Sequence, residues 1–268
     1  MMTYQNNDIP EVIAKAMSQP PSGVCLSIIS YRNTHKVKAL AYLPVYVKVY
    51  EDTFESLVNA IHGLNFVRKE NWKQHNTLQA VFLSKVPKTL FSAFDQLING
   101  DYFEALATCR IAYEILLRVC FIEVLPEHQV STIKSEKGTL DFKPTNFLRD
   151  TLKIADKDPF YEFLSLPVHG HKYSVLKDIA NGQQDNGLLL YLGFGYDEKD
   201  LQLAFNNLVV ITYLAVRLFQ GLFNSFLEGT EYFLKGEEPL ETLIKDLPNT
   251  FNTMPVLINQ ILEKLKEG

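Results

Sequence analysis

The sequence predicts an all-α helical bundle with at most a minor β element, on three observations. Helix punctuation (capping residues, prolines at first turns, terminal glycines) recurs along most of the chain. Strand-type alternation is confined to short runs. Two long stretches, from Asp101 to about Val124 and from about Asp197 to Glu228, are apolar on nearly every face, as helices at the centre of a bundle are. The 268 residues are 47% hydrophobic and 21% charged, which excludes disordered, collagen-like and disulfide-scaffold classes.

Each element has its own local reason. Asp8 caps a first helix with Pro10 in its first turn, ending near Gln19, where Pro20-Pro21-Ser22-Gly23 breaks the pattern. Val24 to Ser30 is an apolar run whose spacing decides neither helix nor strand. From Val37 to His62 apolar residues recur at mixed spacing, with Pro44 as a kink or boundary and Gly63 as a stop. Alternation at Val45, Val47 and Val49 leaves a strand there as the alternative. Thr77 to Asn99 reads as a helix bent or split at Pro87 and terminated by Asn99-Gly100.

The helix from Asp101 to about Val124 starts at an N-cap aspartate with Glu104 three residues on, a capping-box spacing. In projection, Ala105, Cys109, Ala112, Leu116 and Cys120 share one side, while Ile111, Ile115 and Ile122 share another. Beyond Pro126 a polar connection, Glu127 to Lys143, leads to helices at about Thr145–Ala155 and Pro159–Leu166, the second capped by Asp158 with Pro159 at N1. A short helix near Ser174 to Ala180 and an extended piece within Leu188 to Tyr196 precede the long helix. The tail, Glu238 to Lys266, reads as two weaker helices parted near Pro248. These elements divide into an N-terminal helical extension (1–90), a core bundle (91–230) and C-terminal helices packing on the core (231–268).

Charge and cysteine usage narrow the setting. The formal net charge is −5, so no global field favours polyanions, although residues 30–90 carry nine Lys and Arg against four Asp and Glu. That segment is read first as a solvated face; any nucleic acid would meet the chain there. Three cysteines without a C-x-x-C pattern suit a reducing cytoplasm. No signal-peptide core is visible. The tract Leu201 to Phe226 carries Asn206, Asn207, Arg217, Gln220 and Asn224, so it reads as a core helix of a soluble protein rather than a membrane span.

Chemistry concentrates in two places. Arg110 and Glu114 lie one turn apart on the apolar helix, on the stripe with Phe103, Leu117 and Phe121, where charges need partners. The second place is Tyr161-x-x-Leu164-Ser165-x-x-Val168-His169, with His171 two residues on, at a helix break where an imidazole can move protons near neutral pH. Two histidines without neighbouring Cys, Asp or Glu ligands make a poor metal site, so neither a metal nor another cofactor is expected. The Walker phosphate loop, the G-x-S-x-G elbow, the H-E-x-x-H pair and a complete dinucleotide fingerprint are all missing from the sequence.

The R-x-x-x-E helix (Arg110–Glu114) followed by Y-x-x-L-S-x-x-x-H (Tyr161–His169) resembles a bacterial helical family of uncharacterised proteins, similar in turn to the HEPN superfamily. The resemblance spans roughly residues 90–225. It implies a HEPN-like helical bundle, homodimeric, found in bacterial toxin, defence and RNA-processing systems, with RNA, a nucleotide or a protein of such a system as partner. It also implies metal-independent RNase chemistry for many members. The Arg-x(4–6)-His motif of those RNases is matched only by Arg68 and His75, with Lys69 where a polar uncharged residue is usual. On the catalytic reading, Arg110 binds phosphate, Glu114 orients it and His169 transfers a proton, with Tyr161, Ser165 and His171 as binding residues. The alternative is a non-catalytic helical scaffold or regulatory interaction protein in which the same cluster fastens the bundle.

Overall fold

The computed structural model describes residues 24–67, 70, 72–125, 146–153, 158–165, 183–184, 187–188, 197–235, 238–245 and 259–265. The helices expected at 10–19 and 174–180 lie outside these residues, as do His169 and His171. Among the described residues the fold is helical throughout, apart from one two-residue antiparallel pairing of β1 (Gln183–Gln184) with β2 (Gly187–Leu188).

The undecided run Val24–Ser30 opens a helix, α1 (Val24–Tyr42), and α2 (Pro44–Gly63) follows at once, with Pro44 in its first turn. Proline there loses no hydrogen bond and presets φ, so it separates two helices rather than bending one. The alternating Val45, Val47 and Val49 are helical: Val47 is buried and Val45 faces solvent. Pro87 acts in the same way. It splits the expected single helix into α3 (Gln74–Leu83) and α4 (Val86–Ile98).

The helix α5 (Tyr102–Val124) is the hub, packing against α3, α4, the short α6 (Pro159–Ser165) and the long α7 (Glu198–Phe223). Its apolar side is sealed by Ala105, Cys109, Ala112, Leu116 and Cys120. Burial pushes the Cys109 thiol up to about 12 and the Cys120 thiol well above its ordinary value, so neither forms a reactive thiolate near neutrality. The projected apolar set at Ile111, Ile115 and Ile122 divides: Ile122 is buried, whereas Ile111 is 53% exposed on the outer stripe with Glu104.

The expected capping box is not formed. Asp101 occupies the N-cap of α5, but its side chain caps nothing and instead pairs with Arg32 of α1. A full cation across the corner outcompetes a backbone N–H for the carboxylate. By contrast, the Asp197 carboxylate does cap α7, accepting from the Asp200 amide at 2.9 Å.

Residues 198–227 are long and apolar enough by composition to cross a membrane, yet 83% of their most apolar window is buried within the protein. Three polar side chains of α7 bond within the helix, although the buried Asn207 Oδ1 has no partner. Asn206 accepts from Gln202 (2.8 Å), Asn207 donates to the Leu203 carbonyl (2.7 Å) and Thr212 to that of Leu208 (2.8 Å). A short 3-10 turn (Asn224–Leu227), α8 (Glu238–Lys245) and helical residues 259–265 complete the described chain. The Thr145–Ala155 expectation is met only by a π-helical turn, Phe147–Thr151, ending before Lys153 at φ 55. One continuous core joins α1 to α8, and residue 90, the expected boundary of the extension, is a buried leucine inside α4.

The α4–α5 corner depends on Gly100. Its φ of +91° favours glycine, and a Cβ there would stand 2.9 Å from His35 Cδ2. Gly100→Ala is expected to destabilise the fold by about 1–3 kcal/mol, read as a lower urea midpoint at unchanged slope.

Candidate functional site

The described part of the second segment singled out for chemistry, residues 161–165, meets the Arg110–Glu114 turn through Tyr161. The helix α6 is only seven residues long and owes its place to packing, since a helix this short is marginal alone. Phe160 sets its ring edge-on against Tyr113 of α5 (centroids 5.1 Å apart, 89°), and Leu164 is fully buried. This docking brings Tyr161 over Arg110.

The resulting node is a closed cycle of three polar groups. Arg110 Nε donates to Glu114 Oε1 at 2.9 Å, and Nη2 donates to the Tyr161 hydroxyl at 2.6 Å. That hydroxyl donates in turn to the same Glu114 Oε1 at 2.9 Å. The guanidinium carbon also lies 4.7 Å from the centroid of the Tyr161 ring, a cation–π arrangement. Burial, then the hydrogen bond to Glu114, raises the Tyr161 hydroxyl above the usual phenol range, so it remains a neutral donor. The side chains of Arg110 and Glu114 are 16% and 27% exposed, so the node sits at the rim of the core rather than in free solvent.

Ser165 does not join the cycle; its hydroxyl donates to the Tyr161 carbonyl one turn back at 2.6 Å. It therefore steadies α6. Arg110, Glu114 and Tyr161 are thus brought together, Ser165 stands one turn away, and His169 and His171 lie outside the described residues.

Behind the node is a residue read from the sequence only as a helix cap. Asp158 Oδ1 accepts from the Tyr161 amide at 2.9 Å, as an N-cap should, but the whole carboxylate is buried. Burial raises its pKa, only partly offset by the Tyr161 amide and by the Tyr113 hydroxyl nearby. The sign follows from proton linkage. The folded state holds this proton more tightly than the unfolded chain, so stability falls as pH rises above the ordinary aspartate value towards the raised one. Asp158→Asn keeps the cap without the charge. Its melting temperature at pH 7 is expected to be no lower than that of the parent, and the acid-side rise in stability from this group is expected to vanish.

A separate polar group lies at the other end of α5. Gln79 Nε2 donates to Glu123 Oε2 at 2.8 Å, and His75 Nε2 stands 3.4 Å from that same oxygen. His75, the histidine of the Arg68 spacing, is buried against α5. Among the described residues no group of three or more His, Cys, Asp or Glu is arranged to hold a metal ion. The cavity of about 190 Å³ between α2, α7 and α8, lined by Asp52, Thr53, Ser56 and Lys235, lies in a different part of the molecule, and none of its lining residues belongs to the node. No family model, curated protein or solved structure matches the chain.

Proposed function

We propose that the chain is a non-catalytic helical scaffold or regulatory interaction protein of HEPN-like type, homodimeric and belonging to a bacterial defence or toxin system. The observation that carries this reading is the closure of the Arg110 node. A guanidinium with Nε on a carboxylate 2.9 Å away and Nη2 on a phenol has its charge cancelled and two edges used. Such a group holds helices together better than it holds a phosphate. The fastening also explains why a one-sided, seven-residue helix stays seated on α5.

One observation favours the catalytic reading, metal-independent RNA cleavage with Arg110, Glu114 and His169. The node retains solvent access at both charged side chains, and Nη1 takes no part in the cycle. The two readings separate in one experiment: the full chain is incubated with end-labelled single-stranded RNA in excess chelator. No cleavage above the protein-free control is expected. Cleavage that disappears in both Arg110→Ala and His169→Ala, each melting as the parent does, establishes the ribonuclease instead.

A further inference from the structure

At the middle of α1 one imidazole joins the helix to the α4–α5 corner, beside the pairing of Arg32 with Asp101. His35 is 2% exposed, between α1 and the α4–α5 corner. Its Nδ1 lies 2.9 Å from the Ile98 carbonyl, which can only accept, so Nδ1 carries the proton. In a neutral ring Nε2 is then a bare acceptor, and it takes the Tyr102 hydroxyl at 2.6 Å. The same phenol oxygen receives the Asp197 amide at 3.3 Å, so the donors run in one direction from the N-terminus of α7 through Tyr102 to His35. Gly100 lies against the ring, where a Cβ would stand 2.9 Å from His35 Cδ2.

We propose that His35 is a pH-sensitive latch: a proton taken up at Nε2 ends the donation from the Tyr102 hydroxyl and frees α1 from the α4–α5 corner. Protonation turns Nε2 into a donor, so the Tyr102 hydroxyl can no longer donate to the ring and its proton must turn away, and it places a cation in a dry site. Burial lowers the imidazole below its ordinary value, outweighing the Ile98 carbonyl and the Asp101 carboxylate, which favour the charged ring; Lys38 on its own helix adds to the lowering. The other charged groups at the corner are Arg32, paired with Asp101, and Glu104 and Asp95, which act on Asp101. Asp197 meets the corner through its amide, with its carboxylate turned to the Asp200 amide. Because the folded pKa is lowered, the unfolded segment binds the proton more readily. Docking is therefore complete above about pH 6.5 and is lost as the pH falls below it. Among the described side chains of α1, Ala39 is buried and Leu40 packs against the core, while Val37, Lys36, Lys38 and Ala41 face solvent.

The test is backbone hydrogen exchange by mass spectrometry on the full chain between pH 7.5 and 5, corrected for intrinsic rates, in the parent and in His35→Gln. Protection of α1 is expected to drop about tenfold in the parent across this range while α5 and α7 keep theirs. In His35→Gln the protection of α1 is expected to be flat with pH, whatever its level. An NMR titration of the His35 ring in the parent supplies the second readout, with a midpoint below 6.5 expected. Unchanged α1 protection in the parent, an equal loss in His35→Gln, or a His35 midpoint at or above 6.5 each overturns the latch.

Discussion

Phe205→Ala is expected to cost about 3–5 kcal/mol, the range for emptying a fully buried aromatic site. The ring sits where three helices converge. Tyr46 and Tyr50 of α2 approach it edge-on at 6.4 and 6.2 Å, and Tyr50 stacks on Phe94 of α4 at 5.1 Å and on Phe54 at 5.8 Å. Removing Phe205 therefore withdraws support from residues that the sequence assigns to a separate N-terminal layer. Urea unfolding is expected to show one cooperative transition with a lowered midpoint, α2 melting together with α7. Two resolved transitions, with α2 unaffected by the mutation, would mean that the aromatic cluster does not couple the layers.

Arg110→Ala is expected to destabilise by about 2 kcal/mol, more than an exposed pair one turn apart, because two charge-assisted bonds and the ring contact go together. Glu114 keeps the Tyr161 hydroxyl but loses its cation, so some of the loss is a partly buried carboxylate without its counter-charge. Arg110→Lys is expected to recover less than half of it. An ammonium is a point donor and does not span Glu114 Oε1 and the Tyr161 hydroxyl with a planar fork. Thermal or urea melts read both outcomes, and the loss is expected to be greatest in the protection of α6.

Most of the helical order is legible in the sequence because proline and the capping residues act locally. Pro44 and Pro87 mark real breaks, Asp158 caps as expected, and the long helix begins beside Asp197 as its pattern indicates. The failures are tertiary. Asp101 has the residue type and spacing of a capping box, but Arg32, 69 positions away in sequence, takes its carboxylate. Nothing local in Val24–Ser30 shows that it continues into α1. The pairing of Arg110 with Glu114 follows from helical spacing alone, whereas the closing partner, Tyr161, is legible only as the first residue of the Tyr161–His169 segment. The burial of Asp158 against Tyr113 and the His35–Tyr102 contact have no signature in spacing, since each depends on which helix faces arrive together.

The claim that the Arg110 node is a fastening between helices is tested most directly by a double-mutant cycle of Arg110→Ala and Tyr161→Phe in urea. A fastening gives a coupling energy of about 1 kcal/mol or more between the two substitutions, with each single variant less stable than the parent. Additive effects within about 0.3 kcal/mol, with Arg110→Ala as stable as the parent, contradict it.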